Sequence, residues 1–303
     1  MCDRERKLVV TYNGEIYNYV ELREELSRAG RVFCTASDTE VLLAAYAEYG
    51  ESCVTRLNGM WSFAIYDGVR NVLFGSRDRF GVKPLYYWNR GTAFAFASEV
   101  KALLTLPFVE RRLNEDVAFD YLVLGREMYS DATFFEGILE LLPGHSFRLD
   151  LGSGALTKSR YYRLAAGGRW ESYRESRWRE HVAETREKVF RSISRRLRAD
   201  VSVGSCLSGG IDSSAIVCGI GELMKRGAID SVGPRQHVFT ACYRLFALAD
   251  ERILVLDGAM GTMIQSMETD PQDFVLSSDD ASQPDIAALM CNEVLTLTRP
   301  DMI

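Results

Sequence analysis

Residues 201–227 contain the sequence feature that most constrains the fold of this chain. The β-branched run "VSVGSCL" leads into "SGGIDSS", which is followed by the apolar helical pattern "AIVCGIGELMKRG". A strand, a glycine turn and a helix in this order are typical of α/β proteins, where the strand is buried. A further strand-like run, "HVFTACY", occupies residues 237–243. We therefore predict a buried strand, a loop and a helix with α/β architecture here.

The loop between this strand and helix has the composition of an anion site. Gly209 and Gly210 allow the backbone to turn sharply and to approach a ligand closely. The helix directs its unpaired N–H groups and the positive end of its dipole into the loop. Further donors are the hydroxyls of Ser208, Ser213 and Ser214. The pattern fits an anion of pyrophosphate size, although it is not a Walker motif; the alternative is an ordinary turn capped by Asp212.

The segment "SGGIDS" resembles the PP-loop of the N-type ATP pyrophosphatases, whose signature is SGGxDS. Those enzymes cleave ATP between its α- and β-phosphates and adenylate an acid or amide-type substrate. The resemblance therefore implies ATP and Mg²⁺ as cofactors, with the residue at the end of "HVFTA" near the adenine. The ATP site that it implies consists of Leu207, Ser208, Gly209, Gly210, Asp212, Ser213 and Ala241.

The first half of the chain is predicted to be rich in β-structure. "KLVVTYN" is a β-branched run that ends in a turn. "MWSFAIYDGVRNVLFGSRD" predicts a hairpin with Asp67 and Gly68 at its turn, and "YYWNRGTAFAFAS" predicts a second hairpin that turns near Gly91. "FFEGILELLPGHSFRLDLGSG" continues the strand pattern after a Pro-Gly pair. Residues 1 to about 155 therefore form a mixed, sheet-rich α+β domain.

Apolar spacing and capping residues predict three helices besides the one after the glycine loop. "YVELREELSRAG" ends at Gly30, and "SDTEVLLAAYAEYG" begins with Ser37 and Glu40 in capping-box order and ends at Gly50. A longer helix is predicted near residues 176–198. Its arginine-rich end, "ISRRLRAD", is either a phosphate or RNA patch or a solvated face with interleaved acids.

A series of ordered motifs resembles the class II glutamine amidotransferase domain of asparagine synthetases. In order, they are "NGEIYNY", "SDTEVLL", "LNGMWSFAIYD", "RDRFGVKPLYY", "SEVKALL" and "LPGH". With the PP-loop behind them, they cover roughly residues 1–245. The resemblance implies an incomplete Ntn-type αββα sandwich followed by a partial PP-loop domain. It also implies a glutamine-hydrolysing, ATP-dependent ligase of asparagine biosynthesis, a family whose members are often homodimers, with glutamine, aspartate and ATP as substrates.

The same resemblance assigns roles to four residues of the first domain. The Asn13 side chain and the Gly14 N–H would form the oxyanion hole, and Glu15 and Asp38 would bind the α-amino group of glutamine. The residues themselves also fit a plainer interpretation. Asn13 and Gly14 are common at a strand end, Glu15 would then begin the next helix, and Asp38 is a favourable acid in the first turn of a helix.

The nucleophile that the resemblance implies is an amino-terminal cysteine, with its own α-amine as the base. Cys2 is followed by the four charged residues "DRER", which do not begin a buried strand. It also stands only eleven positions before Asn13, where the family has several dozen. We therefore expect a chain that lacks the family's first strands, keeps the oxyanion hole and the amine clamp, and has no nucleophile. "RDRFGVKPLYY" is expected to be structural.

The tail resembles a different family. "ERILVLDGAMGTMIQ" and "LTRPDMI" are similar to the start of the homocysteine-binding barrel of cobalamin-dependent methionine synthase. That barrel needs about 250 residues, so only a fragment would be present. We therefore predict three segments: an amidotransferase domain at 1–155, a partial PP-loop synthetase domain at 165–248, and the methionine synthase-like fragment at 251–303. No metal site is predicted.

Composition limits the functional alternatives. The 303 residues carry a net charge of −6, which argues against a general nucleic-acid binder. No apolar run has the length of a membrane span, and the seven cysteines show no metal or disulfide spacing, so we expect a cytoplasmic protein. Besides an inactive synthetase fragment, the sequence leaves open a non-catalytic nucleotide- or glutamine-binding protein. A homocysteine methyltransferase fragment is suggested by the tail alone.

Overall fold

The computed structural model describes residues 1–126, 129–165, 172–201, 203–229 and 235–240. These residues belong to two compact units, one within Met1–Trp170 and the other within Glu171–Ile303. Ala241 and the segment 251–303 lie outside the described residues. The domain bounds given above therefore stay predictions.

The first unit is built from two antiparallel sheets, four α-helices and a short 3₁₀ helix (Gly50–Thr55) among its described residues. The strands are β1 (Cys2–Asp3), β2 (Leu8–Ile16), β3 (Gly59–Asp67), β4 (Val72–Arg77), β5 (Tyr86–Arg90), β6 (Ala93–Ala97), β7 (Ile138–Glu140), β8 (His145–Asp150) and β9 (Leu156–Arg160). The helices are α1 (Tyr19–Arg28), α2 (Asp38–Tyr49), α3 (Val100–Leu103) and α4 (Glu115–Leu124). The larger sheet has the order β1-β2-β3-β4-β8-β9, and the smaller has the order β6-β5-β7.

One face of the larger sheet packs on α1 and α2. Alternation along β2 directs Leu8, Val10 and Ile16 to this face, where they are buried. They meet apolar side chains of both helices, including Leu26 and Leu42, which are fully buried. This cluster is the main core of the unit.

The opposite face of the larger sheet packs on the smaller sheet. Phe147 of β8 is buried against Leu85, Tyr87 and Leu141, which lie on or beside β5 and β7. The other face of the smaller sheet packs on α3 through Trp88 and neighbouring residues. The layers are therefore helix, sheet, sheet and helix, which confirms the predicted αββα class.

The two predicted hairpins are confirmed. Asp67 of β3 pairs with Val72 of β4 around the Asp-Gly turn, and Arg90 of β5 pairs with Ala93 of β6 around Gly91. In each case the turn residues and the flanking alternation are local signals, which explains why the sequence alone is sufficient.

Only the Ser37 half of the predicted capping box forms. The Ser37 hydroxyl accepts a hydrogen bond from the Thr39 N–H at 3.1 Å, as an N-cap should. The Glu40 carboxylate, however, accepts from the N–H groups of Cys34 and Thr35 at 2.8 and 2.7 Å instead of the Ser37 N–H. The chain before the helix folds back over Glu40, so this carboxylate holds the preceding loop.

The "RDRFGVKP" motif forms a buried polar connection between the sheets. The Arg77 guanidinium, 2% exposed, donates to the carbonyls of Lys83, Gly81 and Leu141 at 2.8 Å each. It also lies 2.7 Å from Glu140 Oε1 in a buried ion pair. These contacts tie the end of β4 to the end of β7.

Asp78, the next residue, organises the same loop from its other side. Its carboxylate accepts from the N–H groups of Phe80, Val82 and Lys83 at 3.0–3.1 Å. It also accepts from the Trp61 N–H of β3 at 3.3 Å. These partners support the structural role expected for the motif.

The inner face of the larger sheet is not fully covered by the described residues. Val9 of β2 is 48% exposed, and Tyr66, its neighbour on β3, is 40% exposed. Asn13 and Glu15 lie further along the same face of β2 and are also exposed. The part of this face that contains β2 is therefore accessible to solvent.

The second unit contains α5 (Glu175–Arg196), β10 (Gly204–Cys206), α6 (Ile211–Lys225) and β11 (His237–Phe239). The helix near 176–198 and the strand–loop–helix order are confirmed. The strands β10 and β11 pair in parallel. Ile193, Leu197, Ile220 and Leu223 form the core between the two helices.

One prediction for the second unit is wrong: β10 is not buried. Its residues are exposed or half-buried, and among the described residues its sheet has only one other strand, β11. None of the helices in the described part of the chain is both long and apolar enough to cross a bilayer.

We predict that Arg77→Met destabilises the protein by at least about 3 kcal/mol. The substitution leaves the Glu140 carboxylate without its cation and three carbonyls without their donor in a buried site. Chemical denaturation measures the free energy of unfolding. The matched control is Arg28→Met, which breaks an exposed pair with Glu24 and should cost less than about 0.5 kcal/mol. A loss below about 1 kcal/mol for Arg77→Met would contradict this role.

Candidate functional site

The backbones of β2 and β3 approach each other closely at two glycines. A Cβ on Gly14 would lie 2.2 Å from the Met60 carbonyl oxygen, and a Cβ on Gly59 would lie 2.1 Å from the Glu15 carbonyl oxygen. Both neighbours are backbone atoms that cannot move aside without breaking the sheet. The close approach of the two backbones therefore requires glycine at both positions.

Among the described residues, β1 and Met1 cover this edge of β2 only as far as Val10. The Met1 backbone pairs with Val10 through hydrogen bonds of 2.9 and 3.0 Å. Alternate residues of a strand direct their N–H groups to the same side, so Gly14 and Ile16 face the same edge as Val10. The Ile16 N–H donates to Asp38 Oδ2 at 3.0 Å. The Gly14 N–H thus faces an edge that β1 does not cover.

The Asn13 side chain lies on the inner face of the sheet beside this edge. Its Nδ2 donates to Ser98 Oγ at 3.3 Å. A cavity of about 150 Å³ lies here between β2, β3 and the end of β6. Its lining includes the polar residues Thr11, Asn13, Ser62 and Ser98. One N–H of the amide is thus held by Ser98, which leaves the other N–H of this group to a ligand.

Asp38 is brought to the end of β2 from the start of α2. Its Oδ2 accepts from the Tyr12 hydroxyl at 2.7 Å as well as from the Ile16 N–H. The N-cap of α2 is Ser37, and Asp38 is an acid of its first turn. Both interpretations of Asp38 offered by the sequence are therefore compatible, since the carboxylate favours the helix and also turns toward β2.

The hydroxyl of Tyr12 has a strongly perturbed pKa. Burial, more than any other cause, raises the pKa of the Tyr12 hydroxyl far above its usual range. The negative charge of Asp38, its hydrogen bond and the charge of Glu15 raise this pKa further. Both acids therefore act on the same hydroxyl, and Tyr12 stays protonated as a donor at physiological pH.

Cys2 lies away from this arrangement. It is exposed, and in the sheet it pairs with Val9. Asn13 is four residues further along β2, which at the rise of a strand is roughly 13 Å. A thiol at this distance cannot attack a carbon atom held at the Asn13 amide and the Gly14 N–H.

The glycine loop of the second unit is closed by its own hydroxyls. Ser213 Oγ accepts from the Ser208 N–H at 3.2 Å, lies 3.1 Å from Ser208 Oγ and donates to the Gly210 carbonyl at 3.0 Å. Gly209 has a φ of 70°, a conformation that favours glycine. Leu207 is anchored to the neighbouring strand by its N–H, which donates to the Phe239 carbonyl at 2.9 Å.

The alternative in which Asp212 caps the helix after this loop is wrong. The N-cap of α6 is Gly210, and no side chain accepts a capping hydrogen bond there. Asp212 lies in the first turn, where a carboxylate still favours the helix dipole. Among the described residues, no group of three His, Cys, Asp or Glu side chains is placed to hold a metal ion.

Sequence reasoning missed Ser98 and Tyr12. Ser98 lies within the matched motif "SEVKALL", yet nothing in that motif indicates that it contacts a residue 85 positions earlier. Tyr12 stands directly before the predicted oxyanion-hole residues, but strand alternation only predicts that it lies on the opposite face from Asn13.

Two protein families match this chain. Residues 1–162 match a glutamine amidotransferase domain. Residues 184–296 match asparagine synthase. The second match continues through most of 251–303, and neither match supports the predicted truncation or the predicted resemblance of the tail to methionine synthase.

The matches with individual relatives cover only part of each relative's length. Asparagine synthetase [glutamine-hydrolyzing] 3 of Bacillus subtilis is 39% identical over 72% of this chain and 34% of its own length. Putative asparagine synthetase [glutamine-hydrolyzing] 2 of Methanocaldococcus jannaschii is 35% identical over 69% of this chain and 39% of its own. The chain thus spans roughly a third of the length of these relatives.

Solved structures with weaker similarity are also found. Glutamine phosphoribosylpyrophosphate amidotransferase from B. subtilis, complexed with ADP and GMP, is 17% identical with a TM-score of 0.37. The match covers 88% of this chain and 52% of that one.

We predict that Gly14→Ala disrupts the pairing of β2 with β3 and costs about 3 kcal/mol or more of stability, because a backbone must move to admit the methyl group. Thermal unfolding and amide exchange of β2 measure the effect. Gly152→Ala is the control, since its Cβ would meet nothing closer than 3.4 Å. Equal melting temperatures for the two variants would show that β2 and β3 are not held this closely.

Proposed function

The chain belongs to the family of glutamine-hydrolysing asparagine synthetases, and from this membership we propose that its first unit binds glutamine at the open edge of β2. The observation that carries the proposal is the convergence of three groups. The Asn13 amide, the Gly14 N–H and the Asp38 carboxylate all lie at the same end of this strand. Glutamine presents a carboxamide to the first two and an ammonium group to the third.

The two donors suit the chemistry of amide hydrolysis. When a thiolate attacks the side-chain carboxamide of glutamine, negative charge develops on its oxygen. Two N–H donors fixed by a strand stabilise this oxyanion without reorganising, and the loss of one such donor typically costs about 3 kcal/mol. Asp38 and Glu15 together would bind the α-amino group, because an ammonium group favours two carboxylates.

We further propose that this chain does not hydrolyse glutamine through Cys2. Cys2 pairs with Val9, and the backbone of Val9 lies roughly 13 Å along β2 from that of Asn13. The arrangement therefore supports a glutamine-binding unit in which Cys2 is not the nucleophile, as in the non-catalytic alternative offered by the sequence.

In the second unit we propose that the loop Leu207–Ser213 binds ATP with Mg²⁺. The loop suits a phosphate chain because Gly209 and Gly210 bring backbone close to the ligand and α6 begins directly behind it. Bound ATP supplies a phosphate anhydride for adenylating aspartate, and the serine hydroxyls orient its phosphates. The proposal also places Ala241 near the adenine and takes aspartate as the acceptor. It further includes a homodimer and a cytoplasmic location. The methionine synthase-like tail is a weaker alternative that zinc analysis tests.

We predict that the purified chain shows no glutaminase activity that depends on Cys2. Ammonia release should be the same for wild type and Cys2→Ala, because the thiol is too far from the oxyanion hole. A glutamine-analogue electrophile with mass spectrometry gives a second measurement. A covalent adduct on Cys2, or turnover lost in Cys2→Ala and retained in Cys34→Ala, would contradict the proposal.

We predict that ATP with Mg²⁺ binds to the full chain and that Ser213→Ala weakens this binding about tenfold, because the Ser213 hydroxyl holds the loop closed. Isothermal titration calorimetry measures the affinity. Ser192→Ala, on α5 of the same unit, should bind ATP as the wild type does. If the wild type shows no heat of binding at millimolar ATP, the proposal that the second unit binds ATP is wrong.

A further inference from the structure

The Asp38 carboxylate has one occupied and one available oxygen. Oδ2 accepts two hydrogen bonds, from the Tyr12 hydroxyl at 2.7 Å and from the Ile16 N–H at 3.0 Å. Oδ1 has a single long contact, 3.5 Å from the Thr39 hydroxyl. Two strong donors on Oδ2 fix the plane of the carboxylate, so Oδ1 is the oxygen that is available to an incoming ammonium group.

Tyr12 is a rigid donor. Its ring packs against the core cluster between the larger sheet and α1 and α2, although its backbone lies on the strand that carries Asn13 and Gly14. Burial and the nearby acids raise the pKa of its hydroxyl, which keeps the donor proton in place. A single side chain therefore connects the strand that carries the oxyanion-hole donors to the acid at the start of α2.

We infer that Tyr12 is a positioning residue that aims the Asp38 carboxylate at the α-amino group of the substrate. The inference rests on the proposed glutamine site and adds a determinant of its specificity. Without the hydroxyl, Asp38 keeps only the Ile16 N–H as a strong donor, and its carboxylate can rotate away. The result is selection for substrates that carry an α-ammonium group beside the carboxamide chain.

Two ligands and two variants test this role in the full chain. The ligands are L-glutamine and glutarate monoamide, which is glutamine without its α-amino group. The variants are Tyr12→Phe and Tyr46→Phe. Tyr46 is the matched control because it is a buried tyrosine of the same core whose hydroxyl donates to another carboxylate, Asp67 Oδ2, at 3.4 Å. NMR titration measures each affinity.

We expect Tyr12→Phe to weaken glutamine binding about 5- to 10-fold and to leave glutarate monoamide binding within about twofold of wild type. Tyr46→Phe should change neither affinity. Unchanged glutamine binding in Tyr12→Phe would overturn the inference. An equal loss for both ligands would also overturn it, because it would indicate a structural role without selection for the amine.

The affinities of the wild type distinguish a failure of the proposed glutamine site from a failure of the role inferred for Tyr12. If the wild type binds neither ligand up to about 10 mM, the proposed glutamine site itself fails and the role of Tyr12 falls with it. If the wild type binds both ligands with equal affinity, the site exists and the amine clamp is wrong. Only the combination of amine-dependent binding and its selective loss in Tyr12→Phe supports the inference.

Discussion

The close approach of β2 and β3 at Gly14 and Gly59 is the constraint on which the rest of the first unit depends. With no side chain between the two backbones, Gly14 pairs with Trp61, and the Trp61 backbone exchanges hydrogen bonds with Asp78. Asp78 in turn organises the loop after β4 that Arg77 ties to the smaller sheet. The position of the candidate oxyanion hole is therefore fixed by the same contacts that join the two sheets.

Local signals in the sequence were sufficient for much of this architecture. The hairpin turns at Gly68 and Gly91, the Ser37 cap and the alternation of β2 each involve residues within a few positions of one another, so a single chain segment specifies them. The plainer interpretation of Asn13 and Gly14 as a strand end, with Glu15 at the start of a helix, is wrong, because β2 continues to Ile16 and α1 begins only at Tyr19. The assignment of Asn13 and Gly14 to a reaction came from the resemblance and not from the pattern.

The remaining features depend on contacts between distant segments. Ser98 reaches Asn13 across 85 positions, and Tyr12 reaches Asp38 across 26. Glu40 had the correct type and spacing for a capping box, but the preceding loop competes for its carboxylate, which no local rule reveals. The strand β10 was expected to be buried because the strand–turn–helix order is typical of α/β proteins, yet burial depends on what other elements cover it.

Binding and bond cleavage are separable in this fold for a physical reason. The proposed oxyanion donors are the backbone of β2 and one side chain on it, and the proposed amine clamp is held by Tyr12 and Ile16, so all of them are fixed by the sheet and α2. None of these groups depends on the position of the attacking sulfur. The pairing of Cys2 with Val9 therefore removes Cys2 as a nucleophile without removing a single donor from the site. Under the proposed function, a chain arranged in this way would keep the groups that bind glutamine, although Cys2 is not placed to attack it.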